Sequence, residues 1–201
     1  MINEQKLIES FKNIRKDIEF LKEEIKRSNK RNSTPMTVWL TGLPCSGKTT
    51  IAKRLEQILK KEGYLVARLD GDDVREGINS DLKFSGKDRD ENLRRVAHIA
   101  QLLNERGLIV IASFVSPSEE NRKNINSIIK NFNLIFTKCS LEECEKRDAK
   151  GMYKLAREGK IKNFTGISAP FEEPKNPELI LDSEKLSVDE CVEKIIKRYF
   201  D

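Results

Sequence analysis

Apolar side chains near the start of the chain recur with heptad spacing. They stand four or three residues apart on a background of Lys, Glu, Asn and Arg: Leu7, Phe11, Ile14, Ile18, Leu21 and Ile25. This spacing predicts an amphipathic helix over residues 1–34, packed either on its own domain or against a second copy of the chain. We treat this segment as separate from the domain of residues 35–201 that follows, and we expect a homodimer.

After residue 35, short apolar runs alternate with amphipathic stretches. The apolar runs predict five strands, over residues 36–40, 64–69, 108–115, 134–138 and 179–181. The amphipathic stretches predict helices from the end of a glycine loop to about residue 62 and over 90–106, 119–130, 141–150 and 188–200. Glycine and proline are frequent in residues 151–177, which predicts a loop region there.

The alternation of strands and helices predicts the fold class. Successive strand–helix units favour an α/β domain in which a mainly parallel sheet is flanked by helices on both faces. Leu108–Val115 is the most apolar segment of the chain, so we expect it to be a central strand that is buried on both faces.

The composition narrows the classes of partner. Of 201 residues, 38 are Lys or Arg and 33 are Asp or Glu, which gives a net charge of +5. The two signs are interspersed and aromatic residues make up 6%, so the chain lacks the basic runs of a typical nucleic-acid-binding protein and we expect no nucleic-acid partner. A mildly basic balance instead suits small polyanionic ligands.

Patterns for membrane insertion, secretion and zinc binding are also missing from the sequence. No apolar run approaches the ~20 residues that span a bilayer, and the charged N-terminal residues lack the apolar centre of a secretory signal. We therefore expect no membrane partner and a cytoplasmic location. The cysteines have no CxxC spacing and His98 is the single histidine, which argues against a zinc site.

A glycine-rich loop joins the first predicted strand to the first predicted helix. Residues 42–49 read GLPCSGKT and match G-x-x-x-x-G-K-[ST] in the strand–loop–helix context that this motif requires. Its backbone N–H groups and the helix N-terminus favour an anion. Lys48 can reach the β- and γ-phosphates of a nucleoside triphosphate, and the Thr49 hydroxyl can ligate Mg²⁺. The predicted nucleotide-binding residues are Gly42, Leu43, Pro44, Cys45, Ser46, Gly47, Lys48, Thr49 and Thr50.

Acidic residues after the second predicted strand favour a small-molecule kinase over a GTPase or an ATPase motor. Asp70 and Asp72 would lie at the carboxyl edge of the sheet, where ligands of open α/β folds bind. A carboxylate there can accept the proton of an attacking hydroxyl or order the waters of a metal ion. No NKxD guanine signature is present, and the strand at 108–115 ends in Ser116 rather than in a Walker B aspartate.

Five further motifs resemble those of the adenylylsulfate (APS) kinase family, and together with the glycine loop they extend the resemblance over essentially all of residues 36–200. They are LDGDDVREGINSDLKFS (69–85), DRDENLRRVA (88–97), GLIVIASFVSP (107–117), KRDAKGMYKLAREGKIKNFTGI (146–167) and NPELILD (176–182). The resemblance implies a P-loop kinase fold and transfer of the γ-phosphoryl group of ATP, with Mg²⁺, to the 3′-hydroxyl of APS. The products would be 3′-phosphoadenosine 5′-phosphosulfate (PAPS) and ADP.

The same resemblance implies roles for individual residues. Asp70 would act on the metal side, Asp72 would orient and deprotonate the 3′-hydroxyl, and Arg147 would lie near the ATP base. Ser116 stands at the position of the family's phosphoserine. The implied catalytic residues are Lys48, Asp70, Asp72 and Ser116. The implied APS-binding residues, besides Asp72, are Arg75, Phe84, Arg89, Asn92, Lys162 and Phe164. Guanidinium groups suit the phosphosulfate oxygens, and the two phenylalanine rings would stack on the adenine from opposite sides.

Two segments depart from the family pattern. Residues 116–120 read SPSEE where the family reads SPYR, and residues 166–172 read GISAPFE where it reads GIDDPYE. The second departure keeps open a related P-loop kinase that phosphorylates a different nucleotide-like acceptor. A protein that only recruits a partner through the heptad helix is a further alternative, but it predicts the loss of Lys48, Asp70 or Asp72, and all three are present.

Overall fold

A single parallel sheet organises the part of the chain that the computed structural model describes, residues 34–201. The predicted heptad helix, apart from Thr34, lies outside the described residues. The strands are β1 (Thr37–Thr41), β2 (Val66–Asp70), β3 (Ile109–Ser113), β4 (Phe132–Lys138) and β5 (Leu179–Asp182). Their order is β2-β3-β1-β4-β5, and every pairing is parallel. The predicted interior position of β3 is confirmed, because it pairs with both β2 and β1 and all of its residues are buried.

Helices connect the strands. They are α1 (Lys48–Lys61), α2 (Gly71–Glu76), α3 (Gly86–Glu105), α4 (Glu119–Ile128), α5 (Leu141–Lys146), α6 (Met152–Arg157) and α7 (Val188–Tyr199). Serine caps four of them: the hydroxyls of Ser85, Ser118, Ser140 and Ser187 each accept a hydrogen bond from the backbone N–H three residues later. These bonds satisfy N–H groups that the first turn of a helix leaves unpaired. Within residues 34–201 no helix is both long and apolar enough to cross a bilayer.

Hydrophobic cores cover both faces of the sheet because successive side chains of a strand point to opposite sides. In β1, Val38 and Leu40 pack with Leu55 of α1 and Ile195 of α7. Trp39, between them, belongs to the core of the opposite face, which α3 and α4 cover. The α/β class and the helices on both faces are therefore confirmed.

Two short helices, α2 and α6, lie outside the sequence-based predictions. The carboxylate of Asp70 caps α2 by accepting a hydrogen bond from the N–H of Asp72. α6 lies within the predicted loop 151–177, starts after Gly151 (φ 66°), and buries Tyr153 and Ala156. Six residues are too few to establish a helical period in the sequence, so tertiary burial decides these elements.

Two helix ends also differ from the prediction. α3 begins at Gly86, four residues earlier than residue 90, because Ser85 supplies the cap. α5 ends at Lys146 rather than at residue 150. The chain then turns through Gly151, whose left-handed backbone conformation allows α6 to begin directly afterwards.

Candidate active site

The glycine-rich loop connects the end of β1 to the start of α1 in a conformation that depends on its glycines. Gly42 has φ +151°, and a Cβ atom there would stand 2.5 Å from the carbonyl oxygen of Thr137, so only glycine fits. Gly47 has φ +94° and precedes α1 without offering a side-chain cap. The first turn of α1 carries no acidic residue either. The N–H groups in the first turn of α1 and the positive end of its helix dipole can therefore bind an anion.

Two hydroxyl groups from distant segments hold this loop in place. Tyr153 in α6 donates to the carbonyl oxygen of Pro44 at 2.9 Å. Ser183, directly after β5, donates to the carbonyl oxygen of Ser46 at 2.7 Å. Neither support was predicted, because nothing in the local sequence pattern links residues so far apart along the chain.

Lys48 folds back over the loop. Its ammonium group donates to the carbonyl oxygens of Gly42 at 3.0 Å and Leu43 at 2.5 Å. Burial lowers the pKa of Lys48 to about 8, since the charged form loses solvation. A triphosphate in the loop would offer this ammonium stronger, charged acceptors in place of the two carbonyls.

Asp70 lies where the carboxyl ends of β2 and β3 meet the start of α1. Its carboxylate accepts hydrogen bonds from the hydroxyls of Thr49 at 2.8 Å and Ser113 at 2.6 Å, and from the N–H of Asp72 at 3.1 Å. Burial by itself raises the pKa of a carboxyl group, but these bonds and the charge of Arg68 outweigh it and hold the pKa of Asp70 below its usual value. The register of the sheet, which places Asp70 opposite Ser113, creates the arrangement.

The oxygens of Thr49 and Asp70 suit a magnesium ion. A hydroxyl and an ionised carboxylate are the hard oxygen donors that Mg²⁺ prefers, and its remaining positions usually go to water and to substrate phosphates. Within residues 34–201 there is no group of three or more His, Cys, Asp or Glu side chains that could hold a metal ion. The donors of Thr49 and Asp70 therefore fit Mg²⁺ that is also bound by nucleotide phosphates.

Asp72, the second acidic residue of the pair, is two-thirds exposed in the first turn of α2. Its carboxylate forms an ion pair with the ammonium group of Lys150, which comes from the turn between α5 and α6. The hydrogen bond to Asp72 raises the pKa of Lys150 and so favours its charged form. Lys150 was not among the predicted site residues, although it lies inside the motif at 146–167.

Arginines from two helices are among the residues predicted to bind the acceptor. The guanidinium carbon of Arg75 in α2 lies 4.5 Å from the ring centre of Phe84, which is 60% exposed. Arg89 in α3 donates to the Thr165 hydroxyl at 3.1 Å and to the carbonyl oxygen of Asn163. Burial, and then the charge of Arg89, lowers the pKa of Arg75. Two neighbouring cations at a partly open surface favour the binding of an anionic group.

The other predicted acceptor residues differ in accessibility. Asn92 is buried and accepts a hydrogen bond from the side chain of Asn79 at 2.9 Å. Lys162 is exposed in the segment after α6. Phe164 is only 8% exposed and packs edge-on against Tyr153, with ring centres 4.9 Å apart. The stacking of a base between Phe84 and Phe164 stays a prediction.

Ser116, which the resemblance implied as a catalytic residue, is buried and hydrogen-bonded in this structure. It is 1% exposed, with a backbone φ of +36°. Its hydroxyl donates to the hydroxyl of Thr41 at 2.8 Å and accepts from the indole N–H of Trp39 at 3.2 Å. Arg122 binds its carbonyl oxygen at 2.9 Å. The Ser116 hydroxyl is thus enclosed, and its catalytic role stays a prediction.

A cleft of about 350 Å³ opens beside the phosphate loop. Arg147 and Thr50, both predicted to bind ATP, line it together with Lys48 and Leu186. Arg147 is held by Glu143 at 3.0 Å and by the carbonyl oxygen of Ser183 at 2.9 Å. Arg147 and residues of the phosphate loop therefore line the same cleft.

Comparison with known proteins shows similarity to one family. The family described as adenylylsulphate kinase matches residues 34–182. The adenylyl-sulfate kinase of Bacillus velezensis is 49% identical over 177 residues, which cover 87% of this chain and 89% of that protein.

Two solved structures are similar to this chain in fold as well as in sequence. The APS kinase CysC of Mycobacterium tuberculosis in complex with AMPPNP and APS is 42% identical, with a TM-score of 0.80 over 83% of this chain and 98% of that one. A hexameric APS kinase from Thiobacillus denitrificans is 28% identical, with a TM-score of 0.62 over 86% of this chain and 29% of that one. The chain belongs to the adenylylsulfate kinase family.

Proposed function

We propose that this chain transfers the γ-phosphoryl group of ATP to the 3′-hydroxyl of adenosine 5′-phosphosulfate, giving PAPS and ADP. The observation that carries the proposal is the match of this family to residues 34–182, a range that includes the phosphate loop and the acidic pair. The Mycobacterium tuberculosis relative was solved with AMPPNP, an ATP analogue, and APS bound together, which supports the same pair of ligands here.

The donor half of the mechanism rests on the phosphate loop. Backbone N–H groups of residues 42–49 and the start of α1 would bind the phosphates, while Lys48 exchanges its carbonyl acceptors for β- and γ-phosphate oxygens. Thr49 and Asp70 would hold Mg²⁺, which supplies neutralisation of the charge that develops on these oxygens. Arg147 and Thr50, along the adjoining cleft, would lie against the rest of the nucleotide.

The acceptor half uses groups on α2 and α3. Arg75, Arg89 and Asn92 would position APS, with Phe84 against its adenine and Lys162 and Phe164 contributing from the segment after α6. The Asp72 carboxylate would accept the proton of the 3′-hydroxyl while the 3′-oxygen forms its bond to the γ-phosphorus. The bond between that phosphorus and the β,γ-bridging oxygen breaks at the same time, and ADP leaves. In-line transfer of this kind needs positioning and charge neutralisation, and no phosphoenzyme.

We also propose that the chain acts as a homodimer in the cytoplasm. The heptad pattern of residues 1–34 offers an apolar stripe to a second copy, and the hexameric relative from Thiobacillus denitrificans supports oligomer formation in this family. The four cysteines are free thiols, which suits a reducing compartment.

Light scattering on the full chain and on an Ile14→Lys, Leu21→Lys variant tests the dimer. A dimeric mass that becomes monomeric in the variant supports it, and an unchanged mass contradicts it.

Substrate choice is tested by measuring ADP release from MgATP with different acceptors. APS is compared with nucleoside monophosphates and cytidine diphosphate analogues, and Lys48→Ala gives the background rate. We expect turnover with APS only, with PAPS as the product. Turnover with another acceptor and none with APS would favour the related kinase that the altered segment 166–172 left open.

A further inference from the structure

Lys150 lies between the donor and acceptor halves of the site. It follows Ala149, which lines the cleft beside the phosphate loop together with Lys48 and Thr49. From there its side chain reaches across to Asp72 on α2, the proposed acceptor of the hydroxyl proton. Among residues 34–201, Lys150 is the side chain that forms an ion pair with Asp72.

The position of Lys150 is fixed by the structure on either side of it. On one side, Arg147 is anchored to Glu143 and to the backbone of Ser183. On the other, Gly151 turns the chain into α6, whose Tyr153 is buried and bonded to the phosphate loop. The backbone that carries Lys150 is thus tied to the loop that would hold the donor.

The ion pair itself contributes little to the fold. The side chains of Lys150 and Asp72 are 67% and 68% exposed, and ion pairs in that environment are largely offset by hydration and by the entropy of ordering two side chains. An exposed carboxylate without a partner would occupy several rotamers. Only some of them direct an oxygen toward an acceptor hydroxyl, so orientation is what the lysine supplies.

We propose that Lys150 is a positioning residue for phosphoryl transfer, holding the Asp72 carboxylate in the orientation that receives the 3′-hydroxyl proton. This inference rests on the proposed function, because it assumes the assigned role of Asp72. Lys150 thereby couples the two halves of the site: the segment that borders the nucleotide cleft also sets the base on the acceptor side.

The test compares Lys150→Met, Lys150→Arg and the exposed control Lys154→Met in the full chain. We expect Lys150→Met to lower kcat about 30-fold, with KM values for ATP and APS within about threefold of wild type. Lys150→Arg keeps a cation and restores most of kcat, and Lys154→Met matches wild type. Thermal unfolding midpoints of all three stay at the wild-type value, which separates positioning from a structural role.

A double-mutant cycle with Asp72→Asn decides whether Lys150 acts through Asp72. We expect the double variant to be no slower than Asp72→Asn alone, since the lysine has nothing left to position. Multiplicative losses, or a Lys150→Met enzyme with wild-type kcat, would overturn the inference while leaving the APS kinase activity of the wild type intact. If the proposed function were wrong, the result would differ, because the wild-type protein itself would form no PAPS.

Discussion

The hydroxyl of Tyr153 donates a 2.9 Å hydrogen bond to the carbonyl oxygen of Pro44, which lies 109 residues earlier in the chain. The bond joins α6 to the middle of the phosphate loop. The Tyr153 ring is buried in a small cluster with Cys144, Ala156 and Phe164, so the loop rests on a packed side chain rather than on solvent. The shape of the nucleotide site thus depends on a helix that carries none of the predicted ATP-binding residues.

Tyr153→Phe removes this hydroxyl and keeps the ring. We expect the free energy of unfolding to fall by about 1 kcal/mol, because one hydrogen bond is lost and the Pro44 carbonyl loses a partner. KM for ATP should rise about threefold as the loop becomes less well fixed, with little change in kcat. Denaturant unfolding and initial rates against ATP concentration measure these effects. Tyr199→Phe, the same atomic change at the end of α7, should leave KM for ATP unaltered.

Asp70→Asn tests the proposed metal side of the site. The substitution removes the charge that Mg²⁺ needs and turns one of the two accepting oxygens into an NH₂ donor. Since Oδ2 accepts from the hydroxyls of Thr49 and Ser113 and Oδ1 from the N–H of Asp72, an amide cannot satisfy all three donors. We expect kcat to fall about 100-fold or more, and the Mg²⁺ concentration that gives half-maximal rate to rise. Asp73→Asn is the matched control, since Asp73 lies three residues later, is 64% exposed and pairs with Arg68. Near-wild-type turnover in Asp70→Asn would contradict the assignment.

The lowered pKa of Lys48 predicts a pH dependence of ATP capture. In the proposed mechanism the free enzyme binds phosphates through the ammonium form of Lys48, which predominates below a pKa of about 8 and is lost above it. We therefore expect kcat/KM for ATP to be constant at lower pH and to decrease as pH rises through about 8. Bound phosphates stabilise the ammonium, so the corresponding decrease in kcat should occur at higher pH. The residual activity of Lys48→Ala should lack this dependence. A kcat/KM that stays constant up to about pH 10, the usual range of lysine titration, would show that Lys48 does not control ATP capture.

Arg89→Ala tests the proposed acceptor side. Arg89 is half-buried, bonded to Thr165 and Asn163, and would pair with an anionic group of APS. We expect KM for APS to rise about 100-fold, while the Kd for ATP, measured by calorimetry without APS, stays near its wild-type value. Arg94→Ala on the same helix is the control, because Arg94 is exposed and pairs only with Glu91 among the described residues. Equal losses in both variants would point to a general effect on α3.

The sequence by itself determined the order of the main elements and the chemistry of the nucleotide site. Apolar runs predicted five strands of a parallel sheet, and all five are present. The glycine loop could be predicted from the sequence because its residues lie close together in one motif. Gly42 allows the turn, and Lys48 and Thr49 follow at the start of a helix. Local periodicity and contiguous motifs carry this information, because helix and strand geometry repeat over a few residues.

Only the tertiary structure decided how distant segments complete the site. It enclosed Ser116 between Trp39 and Thr41, packed Phe164 against Tyr153, and brought Lys150 to Asp72. The short helices α2 and α6 likewise follow from capping and burial rather than from periodicity. Such contacts join residues far apart in sequence, and they arise only when the sheet register and the packing of both faces fix where each loop emerges.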